Sequence, residues 1–165
     1  MGNFYTDVIK KDHRFASPDR INDPNLLEPK TRAAVAAIIT EAAAMGVHLT
    51  ILETYRSQVR QHDLYTKGAT QLRDVGCHGY GVAADLGIMT EKGMDPDGAH
   101  YDILRKLAEK HGLISGVDWG LPNLPHSFRD SDHVQRIAVK RQNSLFAGKW
   151  YPDENYDPLI DLGRK

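Results

Sequence analysis

A chain of 165 residues suits one domain and is long enough to bury an adequate core. With 21 lysines and arginines against 22 aspartates and glutamates, it carries no strong field to gather nucleic acid or an anionic membrane, and neither is expected as a partner. A single cysteine, Cys77, excludes an intramolecular disulfide, which leaves packing and any bound metal to hold the fold.

Met1 to Thr6 lacks the basic start and apolar run of a signal peptide, and no stretch is apolar enough to span a bilayer. Synthesis in the cytoplasm is expected, without stable membrane association. Gly2 and Thr6 satisfy the formal myristoylation pattern, which is too short to carry weight. Residues 1–29 are rich in turn formers (Ser17-Pro18, Asp23-Pro24, Glu28-Pro29), and an irregular N-terminal arm without chemistry is expected there. From about Lys30, Val35, Ile38, Ile39 and Ala42 recur at helical spacing up to a stop at Met45-Gly46. Val47 to Glu53 alternates as a strand and delivers Thr54-Tyr55-Arg56 to the sheet edge. Ser57 is a fitting N-cap for a helix ending at Gly68, and a polar loop, 69–75, follows.

The segment from Gly76 to Gly87 places His78 and Asp85 seven positions apart. Gly79 and Gly81 disfavour a helix, so His78 is expected in a tight turn feeding a strand that begins near Val82. Period-two alternation puts Val82, Ala84, Leu86 and Ile88 on a core face and Asp85 on the other, between Ala83 and Gly87, with room beside the carboxylate. Gly93 to Gly98 is a turn cluster without the closing glutamate of a calcium loop. A third helix carries Ile103, Leu104, Leu107, Ala108 and His111 up to Gly112. Leu113 to His126 reads as loop, His133 to Val139 as a strand, and 140–165 as a C-terminal arm packed by its aromatics. Helices interleaved with a few mainly antiparallel strands give one α+β domain over 1–165, with about three helices flanking the sheet and a metal site on one of its faces.

One imidazole and one carboxylate are too few to hold a catalytic metal, which normally takes three protein ligands and keeps a fourth position open. His133 is the best third ligand for His78 and Asp85, and a two-histidine, one-carboxylate set favours one zinc ion per chain, although nickel, iron or copper would accept it. Asp130, three residues before His133, is placed to act as base on the attacking water. Asp132 competes for that role, but simple alternation from His133 sends it to the opposite face. Cys77 as a nucleophile would need a base in reach, and the adjacent His78 diverges from it.

The pattern His-x-x-Gly-x-Ala-x-Asp at His78, Gly81, Ala83 and Asp85, followed by Asp/Glu-x-x-His at Asp130 and His133, resembles the zinc D,D-peptidases of bacterial cell-wall metabolism. That family includes VanY-type carboxypeptidases, VanX-type dipeptidases and phage endolysins that cut L-alanyl-D-glutamate. The likeness runs from Thr54 to Gln135 and includes Thr54-Tyr55-Arg56-Ser57, Gln61, Leu64-Tyr65, Gly68 and Trp119-Gly120. It implies a peptidase acting on peptidoglycan stem peptides, with Arg56 stabilising the oxyanion or gripping a substrate carboxylate. Tyr80, Trp119 and Gln135 are candidate substrate contacts, and His126 a candidate supporting residue. The aspartate at 130 is closer to the endolysin type, which would reach the wall after holin-type release or other export. A D-alanyl-D-alanine carboxypeptidase or dipeptidase, and a zinc-stabilised binding module without turnover, are the alternatives. A monomer is expected. Gly76 replaces the family's usual serine, so water or Cys77 would have to do that hydroxyl's work.

Overall fold

The computed structural model describes residues 2–118 and 130–163. In chain order the elements are α1 (Phe4–Asp7), α2 (Pro29–Ala44), β1 (Leu49–Glu53), α3 (Gln58–Thr66), β2 (Ala83–Thr90), β3 (Gly93–Met94), α4 (Asp102–Lys110), β4 (Ile114–Gly116), β5 (Asp130–Gln135), α5 (Gln142–Phe146) and α6 (Pro158–Asp161). The strands form one antiparallel sheet in the order β1-β2-β5-β4, with β3 paired to the far end of β2. This is the α+β architecture expected.

The longest helix, α2, starts cleanly because Pro29 fills its first turn and the Glu28 carboxylate accepts from the Thr31 and Lys30 amides. Its stop is Gly46, at φ +81°. Its buried stripe, Val35, Ile38 and Ala42, packs with Leu104, Leu107 and Ala108 of α4 against Leu49, Ala84, Leu86, Ile88 and Val134 of the sheet. Each such aliphatic side chain stabilises the fold by about 1.5–3 kcal/mol when fully buried. Both helices therefore cover one sheet face, and β2 turns Asp85 to the other.

The arms are more structured than their turn-rich composition implies. Ile9, Ile21 and Leu26 pack with Tyr55 in a satellite core. Arg136, just after β5, is buried and joins both arms: its Nη1 donates to Glu28 at 3.1 Å and its Nη2 to the Asp153 and Tyr156 carbonyls. Two other expectations shift. Ile114–Gly116 is an edge strand rather than loop, and β5 runs Asp130–Gln135 instead of 133–139, because Val139 opens a short helical turn.

Candidate metal centre

Three strands deliver the site. Asp85 on β2 lies directly opposite His133 on β5 and opposite Glu53 on β1. Glu53 reaches that row because β1 carries one extra residue between Ile51 and Glu53 relative to β2, which breaks the alternation that would send it to the core. Two carboxylates facing each other across strands repel. Arg56 bridges them: Nε donates to Glu53 Oε1 at 3.0 Å, and Nη2 to Glu53 Oε2 at 3.2 Å and Asp85 Oδ2 at 3.4 Å. Arg60 forks onto the same Glu53 at 2.7 and 3.2 Å.

His78 sits in the turn Cys77–Tyr80, closed by Gly81 at φ +73°. A Cβ on Gly81 would meet the Leu26 carbonyl at 2.9 Å, so both conformation and space require glycine. The loop after β1 clasps this turn, with the Thr54 carbonyl accepting from His78 Nδ1 at 2.8 Å and the Arg56 amide donating to the His78 carbonyl.

The inner atoms of the three residues converge. His78 Nε2 lies 3.1 Å from Asp85 Oδ1 and 3.2 Å from His133 Nδ1, and His133 Nδ1 lies 3.1 Å from Asp85 Oδ1. On the outer side, His133 Nε2 faces Gln135 Oε1 at 2.9 Å, and the Gln135 amide is oriented by donating to the Ile137 carbonyl. Because both imidazoles donate outward to oxygen, both turn a lone pair inward, beside a carboxylate. Three electron-pair donors about 3.1 Å apart are what a divalent cation binds; tetrahedral ligands at zinc distances lie roughly 3.3 Å from one another. Burial favours a neutral Asp85, but His78 and His133 outweigh it and hold the carboxyl well below its usual range. Burial also opposes a charge on His133, which Asp85 nevertheless draws upward, so a proton and a metal compete for Nδ1.

A cavity of about 330 Å³ opens over this cluster, lined among others by Arg20, Arg56, Gln61, Asp130, Asp132 and Gln135. Asp130 lies beside the cluster, as expected. Asp132 lies there too, forming a second carboxylate group with Asp85 and Asp130. Simple alternation fails for it because one step on β4, Ser115 to Gly116, spans Val134 to Asp130 on β5. Burial, reinforced by Asp130 and Asp85, pushes the Asp132 carboxyl up to about 8.

Gln135 touches His133 and so positions a candidate ligand. Tyr80 lies outside this cavity, packed between Tyr5 and Phe146 with ring centroids at 4.6 and 5.6 Å. Trp119 and His126 lie outside the described residues. The space beside Gly76 is held by Gln61, whose Oε1 would be 3.1 Å from a Cβ there and already accepts from Arg56. Cys77 is buried and contacts Gln142, and burial pushes its thiol up to about 12, which removes it as a nucleophile. The room foreseen over Gly87 is filled by Leu52. Sequence reasoning missed Glu53, Arg60 and Arg20; only the Glu53, Arg56, Arg60 spacing at the strand-to-helix junction could have pointed to the first two.

No protein-family model matches the chain. Over 146 residues it is 27% identical to the peptidoglycan L-alanyl-D-glutamate endopeptidase CwlK of Bacillus subtilis (strain 168), covering 76% of this chain and 84% of that protein. The fold is similar to that of the L-Ala D-Glu endopeptidase ChiX of Serratia marcescens, with a TM-score of 0.55 and 18% identity over 72% of this chain and 90% of the other. It is also similar to a mutant VanY D,D-pentapeptidase of a VanB-type resistance cassette in complex with Zn(II), with a TM-score of 0.53 and 13% identity over 73% and 78% of the two chains.

Proposed function

We propose that the chain, which resembles the zinc D,D-peptidases and is 27% identical to an L-alanyl-D-glutamate endopeptidase, is a zinc peptidase that hydrolyses peptidoglycan stem peptides at the L-alanyl-D-glutamate bond. The observation that carries this reading is the convergence of His78, Asp85 and His133 within 3.2 Å at the floor of an open cavity. These three residues would hold the zinc. When bound, zinc polarises an amide carbonyl and makes water acidic enough to attack at neutral pH.

The remaining steps belong to the chain. Asp130, on the cavity wall, takes the proton from the attacking water and returns it to the leaving amine. Arg56 orients Asp85, and its bonds to Glu53, Asp85 and Gln61 leave one N–H of Nη1 for the oxygen that gains charge in the transition state. Thr54 and Gln135 fix the tautomers of the two imidazoles. No helix among the described residues is long and apolar enough to cross a membrane.

The test is the identity of the products from purified peptidoglycan. New glutamate amino termini with solubilised wall are expected. Release of D-alanine from intact stems would instead identify a carboxypeptidase, and binding without products a non-catalytic module.

A further inference from the structure

Arg20 stands apart from every other described arginine. Arg14, Arg32, Arg56, Arg60, Arg73, Arg105, Arg136 and Arg141 each have a hydrogen-bond or ion-pair partner among the described residues, and Arg20 has none there. It is exposed, yet it lines the cavity over the metal cluster. Its backbone is pinned on both sides: the Ser17 carbonyl accepts from Ser57 Oγ, and the Ile21 carbonyl accepts from the Thr54 amide at 2.7 Å. The anchor is the loop that presents Arg56, so the arm carries a fixed base and an uncommitted guanidinium to the rim.

Of the other described arginines on the cavity wall, Arg56 and Arg60 are both engaged with protein carboxylates. Both fork onto the buried Glu53, while Asp130 and Asp132 place two further carboxyl groups beside the cluster. Among the described residues, an anionic substrate group entering this cavity therefore meets one arginine that carries no protein partner. Glutamate has two carboxyl groups, and a stem peptide that continues through one of them leaves the other ionised next to the scissile amide nitrogen. We propose that Arg20 is a specificity-determining residue that grips this free carboxylate of the leaving-group residue. The assignment rests on the L-alanyl-D-glutamate reading above, and an arginine fork suits a carboxylate better than a lysine.

The experiment compares kcat/KM for two L-alanyl-D-glutamyl peptides, one with the free carboxylate and one with a carboxamide in its place, in the wild type, Arg20→Gln and Arg20→Lys. Removing a charge-assisted bond predicts a wild-type preference for the carboxylate of roughly 10- to 100-fold. That preference should fall to within about threefold in Arg20→Gln and be partly kept in Arg20→Lys, with zinc content and thermal midpoint unchanged. Equal wild-type rates on both peptides, or an undiminished preference in Arg20→Gln, would overturn the subsite while leaving the bond assignment standing. Cleavage of neither peptide by the wild type would overturn the bond assignment, and the subsite with it.

Discussion

Asp130 and Gln135 sit on the same strand and act on different atoms, which separates their expected phenotypes. Asp130 lies in the cavity outside the three-residue cluster. Asp130→Asn should lower kcat by about 10²–10⁴-fold with zinc retained, a split read by turnover and metal analysis on one sample. Unchanged turnover would transfer the proton to another group, with Asp132 next in position. Gln135 acts one bond further out, as the acceptor for His133 Nε2. Gln135→Leu removes that acceptor without removing a ligand and should weaken zinc binding about 10–100-fold in a competition titration, whereas Gln135→Glu keeps most of the affinity. The three candidate ligands that the structure brings together were legible in the sequence because Gly79 and Gly81 disfavour an α-helix, period-two alternation isolates Asp85 from its apolar neighbours, and the later Asp-x-x-His spacing singles out His133. What was illegible is who fills the gaps: Gln61 occupies the space beside Gly76, and Arg20 comes from an arm whose composition reads only as turns.

The elements were read well where one rule governs each of them. Sequence signals placed α2, α3 and α4 to within a residue or two, because each pairs a glycine stop with an apolar period or a capping side chain. The strands were read less well, since two register shifts decide which side chains face the site. One brings Glu53 opposite Asp85, and the other brings Asp132 beside Asp130. Neither leaves a mark in local sequence, because an extra residue in a strand is defined by its partner strand. The arms also depend on partners distant in the chain. Arg136 is 4% exposed and is held by Glu28 and two C-terminal carbonyls. Arg136→Ala leaves Glu28 buried without that charge and should cost about 3–5 kcal/mol in urea unfolding. A loss below about 1 kcal/mol would show that the arms are not fastened there.

Taken together, the fold is a sheet with one greasy face and one chemical face. Helices α2 and α4 seal the first, so the second is left for the Glu53, Asp85, His133 row and the turn that adds His78. The two faces are linked through β2 itself, whose Ala84 and Leu86 are fully buried on either side of Asp85. That link anchors the donor-bearing strand in the packed core, and preorganised donors are what a metal-assisted hydrolysis requires. On the proposed reading, catalysis depends on a cation held by all three donors. The most direct test is hydrolysis of purified peptidoglycan by protein stripped with a chelator and then titrated with zinc. Activity should vanish on stripping and return in full at about one zinc per chain. Wall digestion undiminished by the chelator, or full zinc binding by a His133→Ala variant, would contradict it.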